Sequence, residues 1–443
     1  MSGSPDATGT GAETTAEETS RSTGGAAPPA APPPRGPWWR RVLVDTRPLR
    51  QTAYRRLFVG QSVSFIGYQI TAVAVPVQMY AITDSSFWVG MLGLAALVPL
   101  ILFGLWGGAV ADAIDRRTLL LISSAVVWGA TGALVVQAVL GLNSTWLLLG
   151  LTAVQSGAFA VSGPTRSAII PRLVPREQVA SANTLNFTAS NFGTVIGPLL
   201  AGLLLARWSY AVAYAVDAVL FTVALYAAVR LPHLAPTGER VSPGLRAVGQ
   251  GLAFIILKPV LLMSFAVDII AMVFAMPRAL FPQVANEWYG GPGAVGWLYA
   301  AIAIGSVLAG LSSGWIGRVR RQGLALTLAV IGWGTAVAAA GLARQLWLVV
   351  VLLALAGAAD LVSAVYRQTI LQVYAPDEMR GRMQGVFMVV VAGGPRLGDL
   401  RAGATESWFG PTVSWVGGGL LCVVLVVLLT LAVPKLIKYD GAP

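Results

Sequence analysis

Seven charged side chains stand inside stretches of this sequence that are otherwise almost wholly apolar: Asp217, Asp268, Arg278, Asp360, Arg396, Asp399 and Arg401. A charge in such surroundings is costly to keep and is a functional hypothesis by default. Their chemistry need not be alike. Arg396 and Asp399 are three residues apart on one helical face, a spacing that allows a local structural ion pair, and Arg401 lies toward the outer end of its stretch. Asp217 stands among Tyr210, Tyr214 and Tyr226. Their hydroxyls could satisfy it without further purpose, which leaves a structural reading beside a proton-binding one. Other chemistries are closed off. The lone His233 sits beside Pro232 in a loop and the lone Cys422 in the last apolar run, so there is no disulfide, redox pair or zinc site. No phosphate-binding loop of the Walker type is present, which disfavours direct drive by ATP, and no cofactor is expected.

The elements that must position these charges follow from composition. With 56% hydrophobic and 11% charged residues in 443, and a mean hydropathy of +0.71, the chain reads as an all-α polytopic membrane protein. Its net charge of +11 lies mostly in short loops and the N-terminal segment, without aromatic interleaving, so it reports topology rather than nucleic acid. Twelve apolar runs are each long enough to cross about 30 Å of hydrocarbon: 57–82, 87–110, 118–140, 146–166, 184–206, 209–230, 260–284, 293–315, 323–343, 346–366, 384–404 and 411–433. Arginines and lysines gather in alternate loops, from Arg116 and Arg117 to Arg380 and Arg382, while the opposite loops hold little beyond Arg207 and Arg344. The positive-inside rule then makes both termini cytoplasmic. Residues 1–36 read as a disordered cytoplasmic tail and 37–56 as a basic segment beside the membrane. Two six-helix halves, 57–230 and 259–433, are joined by a cytoplasmic linker, 231–258, with a short amphipathic helix carrying Leu245, Val248, Leu252 and Ile256 on one face. Residues 434–443 form a second cytoplasmic tail.

The halves repeat each other. The segment from Arg166 through Pro175 to Glu177 aligns without gaps to that from Arg367 through Pro376 to Glu378, and Gly108 to Arg116 aligns with Gly310 to Arg318. Two copies of one pattern imply halves related by an axis along the membrane normal. The loop Gly108-Ala-Val-Ala-Asp112-Ala-Ile-Asp115-Arg116-Arg117 itself resembles the signature between the second and third helices of the major facilitator superfamily. Gly108, Ala111, Asp112, Arg116 and Arg117 match, Val110 is conservative, and Ala113 and Asp115 stand where Arg and Gly are usual. Asp112 is expected just past the end of the second helix, accepting bonds from the first amides of a neighbouring one. With Gly314 and Arg318 of the second copy, Gly108, Asp112, Arg116 and Arg117 would make cytoplasmic latches, broken and remade as the halves rock. The fifth run carries Gly193, Gly197, Pro198 and Gly202, similar to the signature of the superfamily's exporters with Ala201 replacing one Gly. In the fourth run Gln155-Ser-Gly157 resembles the end of that run's signature, but Ala153 replaces its arginine, so coupling through that arginine does not carry over.

A finer similarity runs through Tyr54 to Gln61, Met276 to Pro282 and Gly393 to Asp399, which look like the enterobactin exporter branch of efflux permeases. The resemblance implies a central cavity lined by the first, fourth, seventh and tenth helices. Asp268 would then face the cavity from the seventh, where a partly dry setting disfavours the charged carboxylate and suits a group that exchanges protons. Asp268, with Asp360 on the tenth and Asp217 on the sixth, are the proton-coupling candidates. Gln61, Ser64, Tyr68, Gln69, Gln155, Asn186, Asn191 and Met272 would line a cavity for a bulky, partly apolar substrate. The expected activity is proton-coupled export of a siderophore-like or drug-like compound, by a monomer in the bacterial inner membrane. Uptake by the same fold, a receptor without transport and a membrane-embedded enzyme remain open alternatives.

Overall fold

A computed structural model describes residues 45–113, 115–233, 245–376 and 380–440; the side chains of 105–113, 245–248 and several between 380 and 388 lie outside that description. The expected tail 1–36, residues 37–44 of the basic segment, 234–244 of the linker and 441–443 also fall outside it.

Among the described residues the chain is helical throughout. The N-terminal half comprises α1 (Thr52–Thr83), α2 (Ser86–Ala113), α3 (Arg116–Leu140), α4 (Thr145–Leu173), α5 (Val179–Arg207) and α6 (Tyr210–Val229). Short polar turns close the helix ends. Asp115 accepts from Thr118 N at 3.0 Å, Ser144 from Leu147 N at 3.3 Å and Ser209 from Val212 N at 3.4 Å, which satisfies amides a helix start leaves open. Asp112 was expected beyond the second helix, as the acid that takes such amides. Instead it lies within the last turn of α2, and Asp115 is the acid that caps α3.

The linker helix α7 (Leu245–Leu257) has Ile255 buried, while Leu252, Ile256 and Leu257 are exposed. The C-terminal half follows as α8 (Pro259–Phe274), α9 (Phe281–Trp288), α10 (Gly293–Leu311), α11 (Gln322–Leu342), α12 (Leu346–Tyr374) and α13 (Arg380–Ala432). Eleven helical stretches are long and apolar enough to span a bilayer among the described residues. The last, within α13, carries both final spans, divided at Gly410, whose φ of 79° and ψ of 166° leave the helix just before Pro411. Proline disfavours the α region in the residue before it, and only glycine takes the positive φ without strain. The protein is thus a twelve-span membrane protein.

The repeat is visible in the backbone. α4 and α12 are each 29 residues long and end one residue before Val174-Pro175 and Ala375-Pro376. Both outrun the apolar stretches expected to end near 166 and 366 by about two helical turns.

The seventh span, expected to be continuous over 260–284, is broken. α8 stops at Phe274, Arg278–Leu280 forms a 3₁₀ turn after Pro277, and α9 resumes at Phe281. Irregular backbone at membrane depth persists only where protein or a cavity covers it. Here the freed carbonyls of Val273 and Phe274 accept from Nε and Nη2 of Arg401, whose Nη1 also donates to Ser414 O at 3.1 Å. Arg401 therefore caps the end of α8, and Phe281 and Trp288 pack α9 on Trp415 with ring centroids 5.5 and 6.3 Å apart. The C-terminal residues are docked as well. Leu436 is buried, Tyr439 O accepts from Gly323 N at 3.4 Å, and the Tyr439 ring lies 5.6 Å from that of Tyr374.

The halves meet most closely at the end away from the Arg116 loop. A Cβ on Gly202 of α5 would stand 2.9 Å from Gly296 Cα of α10, and one on Gly90 of α2 would stand 2.6 Å from Asp399 O of α13. Ser86 donates to Gln283 Oε1 at 2.6 Å and Tyr80 to Glu287 Oε1 at 3.2 Å across the same seam. Toward the Arg116 end, Gly104 of α2 and Gly163 of α4 have nothing within 4 Å.

Candidate functional site

A cavity of about 780 Å³ lies between the halves. From the N-terminal half it is walled by Tyr68, Gln69 and Thr71 of α1, Gln155 of α4, and Asn191 and Pro198 of α5. From the other half come Asp268 and Met272 of α8, Arg278, Asp360 and Arg367 of α12, and Arg396 and Asp399 of α13. All six of these charges belong to the C-terminal half, and they balance three against three.

Asp268 is 2% exposed and pairs with Nη1 of Arg367, itself 6% exposed. Asp360 lies 3.9 Å from Nη2 of the same guanidinium. Two carboxylates thus share one cation, and Asp360 keeps 31% of its side chain open to the cavity. Helix α12 makes this possible because positions 360 and 367 are two turns apart on one face. Arg367 was not among the expected site residues; the apolar run expected to end at 366 stops just before it, and it entered only as the first residue of the repeated segment. The seven-residue spacing from Asp360 was the signal that could have placed it.

The expected local pair of Arg396 with Asp399 is replaced. Asp399 accepts from Arg278 at 2.9 Å, because the break after Phe274 turns Arg278 toward α13, while Arg396 Nη1 donates to Ala392 O of its own helix at 2.5 Å. No carboxylate lies within salt-bridge distance of Arg396 among the described residues. Met272 is fixed by two glycines of α13: a Cβ on Gly394 would come 2.9 Å from Met272 Cβ, and Gly398 sits against Met272 O. Trp333, 1% exposed, also lines the cavity, with an indole N–H that finds no acceptor; nothing in its sequence surroundings marked it.

Asp217 lies behind the wall, 1% exposed. The tyrosines expected around it do not bond it. Thr71 donates to it at 2.6 Å and Thr131 at 3.4 Å, while Tyr214 donates to Gln78 at 2.7 Å. Gln155 donates to Thr131 at 2.9 Å, so the cavity reaches Asp217 through Thr71 and through Gln155 and Thr131. Of the other expected lining residues, Tyr68 stacks on Phe159 with centroids 4.9 Å apart. Gln61, Ser64 and Asn186 do not line the cavity. Ser64 is buried and donates to Gln61 O at 3.2 Å, and Asn186 donates to Tyr54 at 3.1 Å and to Ala182 O at 2.9 Å. They lie nearer the start of α1 and α5, on faces packed against protein.

In the fifth-span motif, Gly193 and Gly197 pack on α1: a Cβ on Gly193 would stand 2.6 Å from Phe65, and one on Gly197 would meet Gln69. Pro198 leaves α5 unbroken. The surroundings of Gly108 and the side chain of Asp112 lie outside the description. Arg116 Nη1 donates to Ala168 O at 3.1 Å and Arg117 Nη2 to Val229 O at 2.7 Å, so both arginines tie α3 to ends of α4 and α6 within one half. Val229 O is among the carbonyls that the end of α6 leaves free, where a cation is favoured. Gly314 has nothing within 4 Å and Arg318 is exposed.

Two six-helix halves around such a cavity set the architecture, and comparison with known proteins fixes the family. A family profile described as "Transmembrane secretion effector" matches residues 45–443. The chain belongs to the major facilitator superfamily. It is 30% identical over 407 residues to the enterobactin exporter EntS of Shigella boydii serotype 18 and, equally, to that of Escherichia coli O157:H7, covering 90% of this chain and 95% of each relative. Among solved structures, the nucleoside transporter NupG superposes with a TM-score of 0.67 at 14% identity, covering 87% of this chain and 99% of NupG. A bacterial homologue of the human lysosomal transporter Spinster, in an inward-facing and unoccupied conformation, superposes at 0.64 and 17% identity, covering 89% of this chain and 97% of the homologue. These structures share the superfamily fold, and the chain is a multi-pass membrane transporter rather than an enzyme.

Proposed function

We propose that this transporter exports a siderophore-like or drug-like small molecule across the bacterial inner membrane by alternating access, in exchange for protons. The observation that carries the reading is the cavity between the halves, where Asp268 and Asp360 compete for the single cation Arg367. The 30% identity to enterobactin exporters along nearly the whole chain supports outward flux and a siderophore-like cargo.

With the Arg116 end on the cytoplasmic side, as the positive-inside rule assigns it, both termini are cytoplasmic. The cavity is then sealed toward the outside by the Gly202–Gly296 and Gly90–Asp399 contacts. Protonation of Asp268 removes one of two claims on Arg367 and leaves the guanidinium to Asp360. Both acids and Arg367 border the substrate's space, as do Arg278, Arg396 and Asp399 of the same wall. Proton and substrate can therefore bias the same groups, which is the differential interaction a two-state exchanger requires. Trp333, Tyr68, Gln69 and Gln155 offer neutral hydrogen-bonding groups, and Met272 an apolar one. Rocking of two halves within one chain needs no second copy, so the working unit is a monomer.

The test is a comparison of metabolites inside and outside the native host, with and without the gene, in iron-poor and iron-replete medium. A compound that accumulates inside and vanishes outside on gene loss supports export and names the substrate. Loss of uptake of an external compound reverses the direction of the reading. In vesicles containing the purified chain, flux of that compound should respond to an imposed pH gradient. Coupling retained by Asp268→Asn removes Asp268 as the proton site.

A further inference from the structure

A second cavity lies apart from the first, on the outer face of the C-terminal half. It is a groove of about 930 Å³ between α10, α11 and α12. Small residues such as Ala354 form its floor, and Leu308, Leu328 and Leu355 its exposed walls. Its one hydroxyl, Ser312, donates back to Leu308 O at 3.0 Å and to Ala309 O at 3.2 Å, so the groove offers an occupant almost nothing polar. Along α12 it runs from Val350 to Val362, twelve residue steps or about 18 Å at ~1.5 Å per residue. That is slightly more than one leaflet of a hydrocarbon core about 30 Å thick.

One end of the groove is marked by Trp315, 48% exposed, the amphipathic residue type that sits at headgroup level. The chain leaving it carries Arg318, Arg320 and Arg321 before α11 begins at Gln322 and enters the groove wall at Ala325. All three arginines are exposed, and among the described residues no carboxylate lies within salt-bridge distance of any of them. This loop is the second copy of the repeated pattern, and among the described residues its arginines make no ion pair that would latch it.

We propose that this groove and loop form a binding site for an anionic phospholipid, with one acyl chain between α10, α11 and α12 and the phosphate on the arginine loop. The groove's length, its near-absence of polar groups, and the exposed cations at one mouth that meet no carboxylate among the described residues are complementary to that molecule along its whole extent. An anionic headgroup near a membrane surface gains from each arginine it meets. A zwitterionic lipid with the same chains would gain from the groove alone. The site is separate from the central cavity and independent of the transported compound.

The experiment is native mass spectrometry of the full chain in detergent, titrated with phosphatidylglycerol and phosphatidylcholine of identical acyl chains. Retention of phosphatidylglycerol at roughly tenfold lower lipid concentration is expected. The triple variant Arg318→Ala, Arg320→Ala, Arg321→Ala should lose that preference while still retaining lipid. Ala329→Phe, which fills the groove, should lose retention of both lipids. Because a core variant can misfold, each protein is first checked for an unchanged size-exclusion profile. The shift in Tm on adding phosphatidylglycerol is then measured, expected for the native chain and absent in the triple variant. Equal retention of the two lipids, an undiminished preference in the triple variant, or full retention by folded Ala329→Phe would each overturn the proposal. So would an equal Tm shift from inorganic phosphate alone, which would make the loop a simple anion site.

Discussion

The two halves of this transporter share a backbone and differ in chemistry. Arg166 in α4 and Arg367 in α12 occupy equivalent positions of the repeat. Arg367 is buried between two carboxylates, whereas Arg166 is half-buried with no carboxylate in salt-bridge range among the described residues. The cavity wall follows the same division. The C-terminal half supplies three acids and three arginines, and the N-terminal half supplies amides and hydroxyls, keeping its one deep acid, Asp217, behind Thr71 and Thr131. Duplication of a helical frame thus leaves the ionisable groups of the cavity wall to one half and its neutral amides and hydroxyls to the other.

The comparison breaks most sharply at Asp268. Asp268→Asn leaves Arg367 without its closest partner, and removing one member of a buried pair costs about 3–5 kcal/mol. Thermal denaturation should show that loss, and gradient-driven flux in vesicles should fall to the level of empty vesicles. Adding Arg367→Met should restore most of the stability and none of the coupling. Arg166→Met should cost less than about 1 kcal/mol and leave coupling intact. If the two arginines give equal losses, the division between the halves is wrong.

A smaller effect is expected at the break between α8 and α9. Arg401→Ala exposes two carbonyls of α8 and should lower stability by roughly 3 kcal/mol, since bonds to a charged donor are worth about 1.5–3 kcal/mol each before relaxation. Arg401→Lys should recover less than half of that by the same melt, because one ammonium cannot span the fork. At the seam between the halves, Gly202→Val should cost about 1–3 kcal/mol by overpacking and reduce flux. Gly104→Val, in open space, should change neither. The smallest effect belongs to the neutral wall. Thr71→Val removes the 2.6 Å bond to Asp217 and should cost about 1 kcal/mol, with the pH dependence of flux retained. A shifted pH dependence would instead give Asp217 a share in coupling.

Local pattern carried most of the fold. Each span announces itself through a long apolar run, and the loop cations gather in alternate loops. Where the expectations stopped short, the cause was a partner distant in sequence. Arg396 and Asp399 are the right spacing to pair, yet Arg278 arrives from a break in another span and takes the acid. The break itself was half visible in Met276-Pro277, but the residue that stabilises it, Arg401, lies more than a hundred positions away. Arg367 stayed hidden for a different reason. The helix continues past its apolar run, so a residue one position beyond the expected end at 366 falls outside the set of charges read as lying within a span. For the cavity, Tyr68, Gln69, Gln155, Asn191, Met272, Asp268 and Asp360 stand on its wall, while Gln61, Ser64 and Asn186 were drawn away by packing that polarity alone does not disclose.

At the meeting of Gly202 and Gly296 the two backbones touch with no side chain between them. An alanine scan reads most positions by taking atoms away, but at this seam the same scan adds one. Inactivating variants found there by random mutagenesis should therefore be enlargements, and suppressors should arise as shrinkages on the opposite helix. The pattern of compensating sizes would map the seam genetically, without any label or probe placed in it.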